Sequence, residues 1–148
     1  MSYTDLAGGR FNGQMLNRRL PELGVHSEQV VWDMKGHDPK TWPFFVKSRY
    51  HLLTRVIEHI EQALSIQSLL YFASWRLLFD ARVKKMDLIH LHLINSQYFS
   101  LLTLPFLTWF RPTIWTMHDP WGMTGRCVYQ HGCDGWLKGC GVCPDLST

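Results

Sequence analysis

Two apolar runs, Asp87-Leu88-Ile89-His90-Leu91-His92-Leu93 and Thr113-Ile114-Trp115-Thr116-Met117-His118, constrain this chain most. Each is short and nearly continuous, and reads as a core strand buried on both faces rather than as a helix. Between them residues 96–108 show helical spacing, and Pro112 marks the entry to the second run. Strand, helix, strand is the order a right-handed parallel crossover requires. The chain is therefore expected to be an α/β protein, a parallel sheet flanked by helices.

The preceding half fits the same scheme. Asp5-Leu6-Ala7-Gly8-Gly9 is a loop signal, and Phe11, Met15, Leu16, Leu20 and Leu23 then recur at helical spacing until Gly24. A helix over residues 10–23 follows, with Pro21 confining regular hydrogen bonding to its earlier turns. Residues 25–33, with Val30, Val31 and Trp32, predict a short strand. After a turn-rich break at residues 36–40, residues 44–79 are mainly helical in spacing, as two helices parted near residues 65–68. Only Ser2-Tyr3-Thr4 is available for a first strand before the glycine loop, and no closing helix precedes Thr148. Both ends read as trimmed.

At 148 residues the expectation is one domain over 1–148, with an irregular segment at 119–148 where periodicity gives way to Gly, Cys, Trp and Pro. A content of 46% hydrophobic and 18% charged residues is that of a globular chain. The net charge of +3 is scattered and contains no long basic run, so no nucleic-acid partner is expected, while a weak pull toward an anionic membrane is compatible with it. His90, His92, Asn95, Gln97 and Pro105 interrupt the most apolar stretch, residues 88–110, and make it a poor spanning helix. Residues 1–9 carry no signal-peptide pattern, so a cytoplasmic location is expected.

The residues able to carry chemistry gather at strand ends and in the terminal segment. Gly8 and Gly9 precede a helix and can bring backbone close to a ligand, although paired glycines are often only a turn. His90 and His92 share one face of a strand, and His92 lies near its carboxyl end, where α/β folds place ligands. His118 ends the next run and is followed by Asp119 and Trp121. Cys127, Cys133, Cys140 and Cys143 are all the cysteines of the chain. In a reducing compartment such clustering favours a structural zinc over disulfides, with His131 as a competing ligand and unligated thiols as the alternative. A non-enzymatic, zinc-stabilised α/β interaction domain is a rival reading. A thiol oxidoreductase is a weaker one, since the Cys-x-x-Cys sits in a Gly-rich loop instead of opening a helix.

The terminal phrase as a whole is more specific than its parts. Thr116-Met117-His118-Asp119-Pro120-Trp121-Gly122-Met123-Thr124-Gly125-Arg126-Cys127-Val128-Tyr129, continuing through Trp136, Gly139-Cys140-Gly141-Val142-Cys143-Pro144 and Leu146, carries the pattern T-x-H-D-x-W-x-x-T-G-x-C. It resembles bacterial retaining glycosyltransferases of the two-domain GT-B fold (glycosyltransferase family four, group-one type) that build surface polysaccharides. The strand through His92 and the opening from Asp5 to Gly13 fall where that family has a strand and an acceptor-side glycine loop.

The resemblance implies a Rossmann-like amino-terminal half of a GT-B fold, holding the acceptor side of a cleft. It implies a nucleotide sugar as donor and a lipid-linked or saccharide acceptor at the inner face of the cytoplasmic membrane. By the same resemblance His118 faces the transferring sugar as the catalytic residue, Gly8 and Gly9 face donor phosphate and acceptor, and Asp119 and Trp121 form the loop that follows. The family's donor-binding half has no counterpart in these 148 residues, so the chain alone is expected to be inactive.

Overall fold

The computed structural model describes residues 2–4, 13–43, 50–64, 66–95, 98–124 and 127–140. The chain divides into two compact units, Met1–Thr116 and Met117–Thr148. The first carries all the described strands and α-helices: β1 (Ser2–Thr4), α1 (Gln14–Arg19), β2 (Gln29–Asp33), β3 (Thr41–Pro43), α2 (His51–Ala63), β4 (Ile89–His92), α3 (Leu104–Phe110) and β5 (Thr113–Thr116). The fold is α/β with every pairing parallel, arranged as a three-stranded sheet β1-β2-β3 and a two-stranded sheet β4-β5.

α1 and β2 follow in the expected order of helix then strand, and β1 pairs with β2 in parallel, with Ser2 opposite Val31 and Thr4 opposite Asp33; the expected loop at residues 5–9 lies outside the described residues. As Pro21 predicts, the α-helix ends at Arg19 and a 3-10 turn, Leu20–Leu23, closes it; Gly24 at φ 75 supplies the left-handed cap. β3 is an addition that hydrophobic spacing does not reveal. It has three residues, one of them Pro43 on a sheet edge where a missing N–H does no harm. Asp38 sets it up, accepting from the Lys40 amide through Oδ1 at 2.9 Å and from the Thr41 amide through its carbonyl at 2.9 Å.

Two expected helices are shortened by long-range hydrogen bonds. After α2, the Glu61 carboxylate, 3% exposed, accepts the amides of Ser68 (2.9 Å), Leu69 (2.7 Å) and Leu70 (2.5 Å). Those amides are thus withdrawn from helical pairing, and the next helical element is only a 3-10 stretch, Phe72–Leu78. Likewise Leu101 donates its amide to the Ser68 carbonyl (2.7 Å), and Ser100 donates its amide to Ser74 Oγ (3.0 Å) and its hydroxyl to the Leu69 carbonyl (2.5 Å). The expected helix at 96–108 therefore begins late, as a 3-10 turn Leu101–Thr103 leading into α3, with Pro105 in its first turn; residues 96 and 97 lie outside the described part.

β4 and β5 pair in register from Ile89 opposite Thr113 to His92 opposite Thr116. The first unit's core gathers Trp32, Trp42, Ala73, Leu77, Leu91, Ile94, Tyr98, Phe99 and Leu107. Two expectations are corrected here. The strands are not buried along their length: Leu91 and His92 are buried, whereas Leu88 and Ile114 are exposed, because this sheet has two strands and leaves β5 an open edge among the described residues. The second strand also stops at Thr116 instead of reaching His118. Leu93, at φ 45, turns the chain out of β4, so β5 has no partner beyond His92.

Candidate functional site

The arrangement with most chemistry in the first unit forms around the carboxyl end of β4. His90 and His92 project from the same face, with ring centroids 4.1 Å apart. His90 Nε2 lies 2.7 Å from Thr116 Oγ1 at the end of β5, which fixes that imidazole across the two strands. His92 is buried and packs against Gly13, the residue that opens α1. Gly13 has φ 80, and a Cβ there would stand 3.0 Å from both Cδ2 and Nε2 of His92. Only glycine satisfies both demands, a left-handed backbone and an imidazole in van der Waals contact with it.

Beside this pair lies a cavity of about 920 Å³ lined by Gly13, Leu16, Asn17, Trp42, His90 and His92 among others. That is the size of a small-molecule site, mainly apolar with a few converging polar groups. Its polar wall is ordered by a chain of contacts: Trp42 Nε1 donates to Glu28 Oε2 (2.9 Å), and the Arg82 guanidinium lies 3.4 Å from the centroid of the Trp42 ring. Asp80 holds Arg82 there as a fork, accepting from Nε at 3.2 Å and from Nη2 at 3.0 Å. Those hydrogen bonds from Arg82 hold the Asp80 carboxyl below the usual carboxylate range.

Of the sequence-derived candidates, His92 is therefore inside a cavity wall, with His90 beside it. Gly8 and Gly9 lie outside the described residues, as does Cys143. His118, Asp119 and Trp121 all belong to the second unit. There Asp119 caps a 3-10 turn, Pro120–Met123, accepting the Trp121 amide through Oδ1 at 3.0 Å. Cys127, Cys133 and Cys140 are half-buried and form no disulfide among the described residues. Among the described residues no group of three or more His, Cys, Asp or Glu side chains is placed to hold a metal. Cys133 Sγ does accept the Gly135 amide at 3.4 Å, and Cys140 is held at φ 53 directly after Gly139 at φ 95.

Sequence reasoning missed Gly13, Thr116, Trp42 and Arg82 as parts of a site. Gly13 carries a local signal, a glycine immediately before a helical pattern. The others come together only through contacts of high sequence separation, such as the 26 residues between His90 and Thr116.

Comparison with known proteins gives one local likeness. The chain is 34% identical over 71 residues to "Putative colanic acid biosynthesis glycosyl transferase WcaC" of Escherichia coli (strain K12). The match covers 40% of this chain and 16% of that protein, so the shared region spans about a sixth of the relative's length. No family model and no solved structure matches. The likeness supports a general relation to glycosyltransferases of polysaccharide biosynthesis.

Proposed function

We propose that this chain forms the acceptor side of a retaining, GT-B-type glycosyltransferase that moves a sugar from a nucleotide-sugar donor to a lipid-linked or saccharide acceptor. The observation that carries the reading is the 34% identity over 71 residues to the colanic acid protein. The cavity beside His92 is in keeping with it, because imidazoles near neutral pH can donate to or accept from sugar hydroxyls. In this reading His90, oriented by Thr116, and His92 bind hydroxyls of the acceptor, with Gly13 giving them room. His118 is assigned to the transferring sugar, Gly8 and Gly9 to the approach of donor phosphate and acceptor, and Asp119 and Trp121 to the loop that follows His118. Donor binding is assigned to a partner domain, and the chain by itself to acceptor binding without transfer.

A structural zinc held by Cys127, Cys133, Cys140 and Cys143 belongs to the same proposal. Two local features are in keeping with it, the amide that hydrogen-bonds the Cys133 sulfur and the left-handed backbone of Cys140, although the described cysteines are not gathered into a ligand group. Zinc would supply cross-linking to a unit that has only short 3-10 turns among its described residues.

Ligand-observed NMR on the 148-residue chain, with oligosaccharides and nucleotide sugars titrated separately, tests the assignment. Saccharide binding that weakens at least about tenfold in His90→Ala, with an unchanged unfolding midpoint, is the expected result. Nucleotide-sugar binding with no saccharide binding would overturn it.

A further inference from the structure

One guanidinium in the wall of the β4 cavity has donors to spare. Asp80 takes two of the N–H groups of Arg82, one at Nε and one at Nη2, and so fixes the group in place. Its flat face lies on Trp42, with 3.4 Å from Cζ to the ring centroid. The N–H groups on Nη1, and the second one on Nη2, have no partner among the described residues. Lys85 lines the same cavity, and its ammonium likewise has no partner among the described residues. Trp42 itself offers no platform for a sugar ring, because Arg82 covers one face and the side chain is only 9% exposed within the core.

The hydrogen-bonding inventory says what such a wall can hold. Guanidinium and ammonium groups only donate, whereas a sugar hydroxyl both donates and accepts. An ionised oxygen, which only accepts, is the better partner for two such groups, and it makes the shorter and stronger bonds. Imidazoles can donate and accept, so His90 and His92 suit hydroxyls instead. The charge balance then narrows the anion. The lining also carries two carboxylates, Glu28 and Asp87, against Arg82 and Lys85. Glu28 is engaged at both oxygens, by Trp42 Nε1 at 2.9 Å and by His26 Nε2 at 3.3 Å. The wall therefore has no surplus of positive charge with which to gather the several charges of a diphosphate. A single carboxylate needs no surplus. It is recognised by direction, through parallel N–H bonds from a fork that is already held.

We propose that the β4 cavity takes an acidic saccharide, with the carboxylate of a hexuronate on the unused edge of Arg82 and beside Lys85, and with sugar hydroxyls on His90 and His92. This deepens the acceptor assignment above and rests on it. The test is ligand-observed NMR titration of the 148-residue chain with disaccharides in matched pairs, each pair differing only by oxidation of one hydroxymethyl group to a carboxylate. Cellobiose is set against glucuronosyl-glucose, and galactobiose against galacturonosyl-galactose, with pyrophosphate as a separate arm. The acidic member of at least one pair should bind about tenfold more tightly than its neutral partner. In Arg82→Gln that ratio should fall to about one, and Arg82→Lys, which keeps the charge without the fork, should restore no more than about twofold. The Arg82 side chain is about half exposed, so circular dichroism and the unfolding midpoint of both variants should stay close to the parent. Equal binding within both pairs, or an acid preference that survives Arg82→Gln, overturns the proposal and leaves the acceptor assignment standing. Pyrophosphate bound more tightly than either acid, and weakened in Arg82→Gln, overturns it in favour of a phosphate-bearing ligand. Binding of no saccharide, neutral or acidic, overturns the acceptor assignment and this proposal with it.

Discussion

Replacing Gly13 by alanine separates two costs that glycine avoids. The first is conformational: an L-residue held in the left-handed region costs about 1–2 kcal/mol. The second is steric. The new Cβ would lie 3.0 Å from Cδ2 and Nε2 of His92, tighter than most real Cβ contacts, so the buried imidazole, whose ring centroid is 4.1 Å from that of His90, must shift by a few tenths of an ångström. Overpacking of this kind adds about 1–3 kcal/mol. Gly24→Ala is the control, since Gly24 has φ 75 and nothing within 4 Å of its would-be Cβ, so it bears the first cost alone. Urea unfolding followed by circular dichroism should place Gly13→Ala about 2–5 kcal/mol below the parent and Gly24→Ala about 1–2 kcal/mol below. Adding His92→Ala to Gly13→Ala should recover the steric part, a coupling measurable in a double-mutant cycle. If the two glycine variants agree within about 0.5 kcal/mol, Gly13 does not meet the His92 ring and the geometry of the β4 cavity is wrong.

Other expectations follow from single contacts. Glu61→Ala strands three amides that the carboxylate now satisfies and should cost about 3–5 kcal/mol, whereas Glu61→Gln keeps one acceptor oxygen and should cost about 1–3 kcal/mol; equal losses in urea unfolding would contradict the bonding of both oxygens. Burial, with Glu61 and then Glu58 adding negative charge, pushes the Tyr71 phenol above its ordinary value of 10.0. Its neutral form is thus favoured in the folded chain, and stability should be intact below about pH 10 and fall above it by up to about 1.4 kcal/mol per pH unit; Tyr71→Phe should flatten that slope in alkaline unfolding curves. Under the zinc proposal, chelation should release about one equivalent of zinc to a colorimetric indicator and raise thiol reactivity, and metal-free protein with all its thiols already reactive would refute the site.

Much of the secondary structure was legible because it rests on local patterns. Val30 to Trp32 and Ile89 to Leu91 read as strands, Pro21 and Gly24 end the first helix where they stand, and Leu52 to Leu64 read as a helix. The misplaced helix boundaries around residues 65–104 share one cause. Ser74 pairs with Thr103 across 29 residues, Ser100 with Leu69 across 31, and Glu61 reaches 7 to 9 residues on to collect amides. Hydroxyls and carboxylates of this kind offer the backbone partners other than its own helix, and periodicity does not register them. Nor does periodicity tell inside from outside. The apolar stripe of α2 predicts a helix correctly, but only the burial of Glu61 shows that the stripe faces away from the core.

The candidate site was legible to the extent that its residues sit at strand ends. His92 was placed by that rule and lies in a cavity wall; His118 was placed by the same rule, yet β5 ends two residues earlier at Thr116. Asp119 shows why a motif alone does not assign a role. Its Oδ1 is engaged by the Trp121 amide, and Pro120 in the first turn has no N–H to compete for it, so the Asp-Pro-Trp phrase already has a local reason to hold its shape. Asparagine retains that acceptor and loses the charge, while alanine loses both. A ligand-binding role for Asp119 therefore requires Asp119→Asn to impair sugar binding at unchanged stability, and a capping role requires Asn to be silent and Ala to cost about 1 kcal/mol.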